Sequence, residues 1–279
     1  MPATTKLKLP PKYQDTVVQR PGEHLYKNGN PNTTCYMIDG VKHRRVTTVL
    51  EKTIPKPALI PWAKEVALAK VQKTLLDPTV ITDLPDVMLY GDSYQAWATN
   101  LINVARNRPD EVKDEAANWG TRAHHTIEQY ILAGLNNLIV YDVPDEFAPV
   151  IKSFEEFTAS HNIEWLATEM VVWDSDLAVA GTVDAIGRSP NGWVICDWKT
   201  SKGHYPEMAL QLSAYAAMFT QLTGNPVAEG YVVRFPREQP EADNPTFDAR
   251  KVADLDQGWR LYQNLVSQAT YLDSNPWEE

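Results

Sequence analysis

The chain has 279 residues, 43% of them hydrophobic and 22% charged, with a net charge of −10. No run of eighteen apolar residues exists, which excludes a membrane span, and the first residues lack the apolar stretch of a secretory signal. Two cysteines, Cys35 and Cys196, cannot supply the four thiolates of an iron–sulfur cluster and suit a reducing, cytoplasmic setting. The acidic total argues against a nucleic-acid partner, but the charge is uneven. Residues 1–75 carry thirteen Lys/Arg against five Asp/Glu, and the remainder carries thirteen against thirty-one. The basic segment could line a phosphate-binding groove; an ordinary solvated surface is the alternative.

In chain order, residues 1–34 read as an extended lead-in. Cys35–Ile38 and Val41–Val46 flank Asp39-Gly40, a hairpin signal. Thr48 and Glu51 have capping-box spacing, so a short helix is expected from Thr48. Pro55, Pro57 and Pro61 break the next stretch. Trp62 to Leu76 has a helical pattern with Val66, Ala69 and Lys73 on one side, and 77–90 reads as a connector. A helix over Ser93–Arg106, a turn at Asn107-Arg108-Pro109-Asp110 and a long helix over Pro109–Ala133 follow. That helix has an apolar stripe of Ala116, Trp119, Ala123, Ile127, Tyr130 and Ile131, and Gly134 as its C-cap. Another helix covers Ala148–His161. The period then changes to two: strands over Leu166–Trp173, Val179–Gly187 and Trp193–Lys199, with Ser189-Pro190-Asn191-Gly192 as a turn. Pro206 opens a helix that runs to Leu222 and stops at Gly224. A strand over Val227–Phe235, a polar loop over 236–246, a short strand over Thr246–Val252 and a helix over Leu255–Leu272 complete the chain.

Alternation places Asp197 and Lys199 on one face of their strand and Thr182 and Asp184 on one face of its antiparallel neighbour. Asp184 and Asp197 can therefore meet across the sheet. Two facing buried carboxylates repel unless a cation intervenes, and a hard divalent cation resolves this. Lys199 points the same way and can stabilise charge on a phosphate or orient a water. A structural ion-pair network is the alternative. Gln211 and Tyr215 lie one helical turn apart and could hold phosphate oxygens or the lysine, or simply belong to the core. His124 and Glu128 share a face of the long helix: an imidazole that can be a third metal ligand, and a carboxylate that can be a further ligand or its orienter. An exposed His and a solvated Glu are the default. Glu169 is either an auxiliary of such a site or a satisfied strand residue. Lys42, His43, Arg44, Arg45, Lys52, Lys56 and Lys64, gathered around Tyr36 and Trp62, suit single-stranded or frayed DNA or an amphipathic cover for the core.

These pieces together resemble the RecB-like branch of the PD-(D/E)XK nuclease superfamily, particularly exonucleases encoded by tailed phages. The matching segments are Gly120-Thr-Arg-Ala-His124-His-Thr-Ile-Glu128, Gly181-Thr-Val-Asp184, Asp197-Trp-Lys199 and Gln211-Leu-Ser-Ala-Tyr215. Arg45-Val-Thr-Thr-Val-Leu50 and Lys56-Pro-Ala-Leu-Ile-Pro-Trp62 also look like the N-terminal region of the phage relatives. The resemblance covers residues 40–235. It implies a restriction-endonuclease-like α/β core with a mixed central sheet in β-β-β-α-β order, flanked by helices, behind a mainly helical N-terminal half. It further implies metal binding by His124, Asp184, Asp197 and the Trp198 carbonyl, catalysis by Lys199, and Gln211 and Tyr215 as the third motif. The expected organisation is a lead-in over 1–34, a basic DNA-binding wall over 35–110 bearing Arg44, Arg45, Lys56, Trp62 and Lys64, and a nuclease core with a C-terminal helix over 111–279. The expected function is a magnesium- or manganese-dependent DNA exonuclease without an iron–sulfur cluster. It would act on linear DNA in the cytoplasm (the host's, if phage-encoded) in phage recombination, replication or processing, as a homo-oligomer or with a recombination partner protein. The alternatives are a non-cleaving DNA-binding accessory on this fold and a metal-dependent hydrolase of another substrate.

Overall fold

Short-range alternation and two tight turns build the centre of the protein. In a computed structural model, which describes residues 7, 10–23, 34–77, 91–136, 141–235 and 247–274, the chain divides into two compact units. The first joins Met1–Ile54 to Arg122–Glu279, and the second is Pro55–Thr121.

The first unit contains a mixed sheet of eight strands: β1 (Val18–Gln19), β2 (Cys35–Ile38), β3 (Val41–Arg45), β4 (Glu164–Asp174), β5 (Val179–Ser189), β6 (Gly192–Lys199), β7 (Val227–Arg234) and β8 (Asp248–Lys251). Asp39 and Gly40 turn the β2–β3 hairpin, both with left-handed backbone (φ 48° and 76°), as a tight two-residue turn requires. The β5–β6 hairpin is equally tight, with Ser189 opposite Gly192. β4 pairs antiparallel with β5 over nearly its whole length, and so occupies one edge of β5. The other edge is shared. β3 pairs parallel with its start, at Val179 and Ala180, and β6 pairs antiparallel with its end, from Ala185 to Ser189. Between these two ladders, over 181–184, no strand among the described residues lies beside that edge of β5.

Helices cover both faces. α1 (Val46–Thr53) leads directly out of β3. α3 (Gly91–Leu135) begins in the second unit, and its residues from Arg122 onward belong to the first. α4 is Ala148–Ser160, α5 Pro206–Thr223 and α6 Leu255–Asp273. Odd-numbered residues of β6 face α5, with Trp193 against Phe219 at 5.4 Å between ring centroids. Even-numbered residues face α4, where Trp198 meets Phe154 and Phe157 edge-on. The α3 residue Tyr130 packs on the Phe154 ring from the same side. Phe157, Trp198, Leu212, Phe219 and Tyr262 are almost wholly buried, and each apolar side chain of this size contributes about 2–3 kcal/mol. In the second unit, α2 (Leu59–Leu75) has no fully buried residue.

Several elements differ from the sequence reading. α1 starts at Val46, two residues before the expected Thr48 cap, because Val46, Val49 and Leu50 form the buried stripe that fixes it; Arg45 is its N-cap, without a side-chain cap bond. Pro61 lies in the first turn of α2, where its missing N–H costs little. The half-buried side of α2 carries Trp62, Val66 and Val71, while Ala69 and Lys73 are exposed. The turn expected at Asn107–Asp110 is absent: α3 runs straight through Pro109. Helix-forming residues on both sides outweigh the proline, and Arg108 pairs with Glu111 and Glu115 at 3.0 Å each. Of the α3 stripe, Trp119, Ala123, Ile127 and Ile131 are buried, Tyr130 is half-buried and Ala116 is exposed. Gly134 is helical, and Leu135 ends the helix. Residues 10–23, inside the expected lead-in, carry a 3-10 turn and β1, which adds to the sheet beside β2. The expected connector, apart from Asp77, and the 236–246 loop lie outside the described residues. β4 to β7, α4, α5 and α6 match their expected spans within two residues. Gly224 caps α5 in the left-handed conformation.

Candidate active site

The gap in the sheet is where the chemistry-bearing side chains gather. β6 stays paired with β7 through Lys199, but parts from β5 after Cys196. In the fork, Asp184 Oδ2 accepts the backbone N–H of Trp198 at 2.7 Å, so a side chain takes over where the ladder stops. Asp197 is 2% exposed. Its Oδ1 accepts from Gln211 Nε2 at 3.0 Å, and Lys199 Nζ stands 2.5 Å from its Oδ2. Gln211 Nε2 also donates to Tyr215 Oη at 3.1 Å, so the two α5 residues act as one brace on Asp197. From α3, His124 Nδ1 lies 3.6 Å from Asp184 Oδ2. α3 shares α4's side of the sheet and α5 covers the other; the gap lets both reach the same pair of acids.

These groups line a cavity of about 210 Å³. Its far wall comes from the N-terminal hairpin and α1: Tyr36, Arg45, Val46 and Thr47, with Tyr36 Oη 2.8 Å from Thr182 Oγ1. Gly181 lies in its floor, against the Tyr215 ring.

Burial works to raise the Asp184 carboxyl, but His124, Lys199 and the Trp198 N–H outweigh it and hold it below the usual range. Asp197 is pushed up by burial and by Asp184, against the pull of Lys199. Burial would lower His124 and Lys199, yet the two acids raise both. Convergence of two carboxylates out of water thus raises Asp197, His124 and Lys199, while Asp184 is the acid held down.

That behaviour is the test of whether a divalent cation fits. The donor set is two carboxylates and an imidazole around one cavity, which a hard or borderline cation suits. A cation there would offset the same convergence of negative charge that raises His124 and Lys199. Among the described residues, no three His, Cys, Asp or Glu side chains already surround a single point. Lys199 stands on one Asp197 oxygen and the Trp198 N–H on one Asp184 oxygen. The fit is therefore one of donor chemistry, with side-chain adjustment required.

His124, Asp184, Asp197, Lys199, Gln211 and Tyr215 are thus brought together, and Arg45 joins them. Glu128 is placed otherwise: its carboxylate is outside the cavity lining, 3.1 Å from His125 Nδ1. Arg44, one residue from Arg45 and so on the opposite face of β3, is paired with Asp273 of α6 at 2.8 Å, and Lys52 pairs with the same carboxylate. His43 is buried. Lys56, Trp62 and Lys64 belong to the second unit, the lysines exposed and the tryptophan half-buried. The Trp198 side chain is buried among Phe154, Phe157, Trp165 and Phe235. Thr47 was missed by the sequence reading, and Tyr36 and Thr182 were not assigned to the site. The place of Tyr36 and Thr47 depends on the β3–β5 pairing, for which the sequence has no local signal.

A mixed sheet flanked by helices, with two acids and a lysine where two central strands fork, defines the restriction-endonuclease-like class of α/β protein. Residues 100–274 match the family model of the PD-(D/E)XK nuclease superfamily, and the chain belongs to that superfamily. The search of curated proteins found no match. Among solved structures the chain is similar to SSO0001, at 16% identity and a TM-score of 0.28, over 56% of this chain and 72% of that one. It is also similar to an alkaline exonuclease from Laribacter hongkongensis, at 10% identity and a TM-score of 0.29, over 54% and 82%. At such TM-scores, the family match alone carries the assignment.

Proposed function

We propose that the chain is a metal-dependent deoxyribonuclease, an exonuclease of the phage-encoded RecB-like type that hydrolyses phosphodiester bonds of linear DNA in recombination, replication or processing. One observation carries the reading: in a chain of a nuclease superfamily, Asp184, Asp197, Lys199 and His124 converge on a single cavity. His124, Asp184, Asp197 and the Trp198 carbonyl are the groups that would hold magnesium or manganese, which supplies Lewis-acid polarisation of a phosphate and a lowered pKa for water. The remaining roles belong to the chain itself. Lys199, kept charged by the two acids, offsets negative charge that builds on the phosphate oxygens. Gln211 and Tyr215 fix Asp197 against rotation. Arg45 brings a second positive charge to the cavity wall for the phosphate backbone. The Tyr36 and Thr182 hydroxyls offer a donor and an acceptor beside it.

The test is cleavage of end-labelled linear DNA with Mg²⁺ or Mn²⁺. Asp184→Ala and Lys199→Ala are each expected to slow cleavage by at least about 100-fold, the scale of a lost transition-state contact. Cleavage that persists in chelator, or in both variants, refutes the reading. Resistance of circular DNA and the order of loss of 5′ and 3′ labels test the exonuclease assignment.

A further inference from the structure

β6 ends at Lys199 and α5 begins at Pro206, so residues 200–205 join two elements that line the active-site cavity. This loop is anchored along its length. The Phe235 N–H donates to the Lys199 carbonyl at 2.9 Å, and Arg234 Nε donates to the Ser201 carbonyl at 2.9 Å. Ser201 Oγ donates to the Gly203 carbonyl at 2.9 Å. The His204 side chain is 8% exposed, with Nε2 3.1 Å from both the carbonyl and Oδ1 of Asp248. Asp248 Oδ2 in turn accepts from Arg234 Nη1 at 2.6 Å, which ties the loop to β7 and β8. Two side chains stand outside this clasp. Lys202 is exposed, and Tyr205 is 48% exposed. The Tyr205 ring is seated against Gly203, at whose position a Cβ would stand 3.9 Å from its Cζ. Three residues of chain span at most about 11 Å, and six residues of helix rise about 9 Å. Lys202 and Tyr205 therefore stand within about three nucleotides, at about 3.4 Å or more each, of Lys199 and Gln211 in the cavity. A ring and an ammonium on an anchored loop lose little freedom on binding, which favours them as preformed contacts. Every base has a face on which such a ring can stack, and inside a duplex that face is already covered by its neighbours.

We propose that Tyr205 and Lys202 form a rim that holds an unpaired strand as it enters the cavity: the Tyr205 ring stacks on a base and Lys202 takes a neighbouring phosphate, on a loop held by His204, Arg234 and Asp248. This rests on the reading above that DNA reaches the cavity, and it names the substrate there as unpaired DNA.

The test uses the full chain with Ca²⁺ alone and titrates a single-stranded oligonucleotide and a blunt duplex of the same sequence, by fluorescence anisotropy, beside cleavage kinetics with Mg²⁺. Tyr205→Ala is expected to weaken single-strand binding about tenfold or more, as loss of a base-stacking ring does, and to raise KM with kcat within about twofold. Its effect on the duplex should stay under about twofold, and Tyr205→Phe, which keeps the ring, should bind within about twofold of wild type. Its thermal midpoint should stay close to that of wild type, because the ring is half exposed. An abasic nucleotide walked along the strand should cost about tenfold at one position in wild type and nothing further in Tyr205→Ala. Lys202→Ala should lower the slope of log affinity against log salt by about 0.7. Unchanged single-strand affinity in Tyr205→Ala, an abasic penalty that persists in it, an equal loss on duplex, or an unchanged salt slope in Lys202→Ala overturns the proposal. A wild-type chain that cleaves beside unchanged variants sinks this inference alone. Single-strand binding through Tyr205 without cleavage upholds this inference and sinks the deoxyribonuclease reading, and a chain that neither binds nor cleaves DNA sinks both.

Discussion

Gly181→Ala probes how the sheet gap and α5 are fitted together. A Cβ at residue 181 would stand 2.3 Å from Tyr215 Cε1, 3.0 Å from Cζ and 3.1 Å from Oη. Carbon atoms rest at about 3.5–4.0 Å, so the ring would have to retreat by more than an ångström. It has little room: Tyr215 is 4% exposed and α5 is pinned by fully buried Leu212 and Phe219. Overpacking of this kind costs about 1–3 kcal/mol, and the better strand propensity of alanine returns about 0.5–1 kcal/mol. The net loss, up to about 2.5 kcal/mol, lowers the midpoint by up to about 10 °C, at about 2–4 °C per kcal/mol for a chain of this size class. Tyr215 also carries Gln211, and through it Asp197, so a shift of about 1 Å at the brace should slow cleavage about 100-fold. Thermal denaturation and single-turnover cleavage measure the two effects. Tyr215→Ala should cost less stability in the Gly181→Ala chain than in wild type, giving a non-zero coupling in the double-mutant cycle. Full stability and full activity in Gly181→Ala, or zero coupling, would refute the packing account.

Two further outcomes follow from neighbouring residues and from the far end of the sheet. Arg45→Ala should weaken DNA binding at low salt about tenfold and reduce its salt dependence, while Arg44→Ala, whose partner is Asp273, should leave binding within about twofold; equal effects in a binding titration would contradict the assignment of the two faces. Glu229 is buried at the centre of a cluster, accepting from Ser189 Oγ at 2.6 Å, Lys251 Nζ at 2.8 Å, Asn191 Nδ2 at 3.2 Å and Tyr231 Oη at 3.3 Å. Burial works to raise its carboxyl, but Lys251, Ser189 and Asn191 hold it down at about 2 from an ordinary 4.5. A depressed carboxyl stabilises fully above its ordinary value and loses that contribution as pH falls through its folded one. Glu229→Gln should therefore cost up to about 3 kcal/mol at pH 7, less to the extent that solvent screens the half-exposed Lys251, with the gap to wild type closing between pH 5 and 2 in urea titrations. A gap that stays constant with pH would exclude the ion pair as its cause.

What the sequence made legible was local. Alternation in β5 and β6 and the two-residue turn between them put Asp184 opposite Asp197, and a helix with Gln211 and Tyr215 one turn apart had to follow. His124 was reachable because its helix carries a clear apolar stripe through Ala123 and Ile127. Features that depend on distant partners were not legible. The hairpin at Asp39-Gly40 announces itself, but nothing near it says that Arg45 will pair with Ala180, so the cavity wall of Tyr36, Arg45 and Thr47 could not be read. The same blindness merged Arg44 with Arg45, which a strand sends to opposite faces. Pro109 misled because its local preference for a turn is weaker than the helical preference on both sides. The left-handed backbone of Glu169 has no signature in a run as strand-like as Ala167–Trp173.

The parallel seam between β3 and β5 also has a consequence for how the protein reaches its native state. The β2–β3 hairpin closes on itself through a tight turn and can form within microseconds of leaving the ribosome. Its seat does not yet exist, because the whole of Pro55–Thr121 and then α4 and β4 come before Val179. Bringing Arg45 to Ala180 closes a loop whose entropy cost is roughly 4 kcal/mol by the logarithmic rule, against a short ladder of two residue pairs. The seam is thus a high-contact-order contact, and the cavity has its far wall only once that seam has closed.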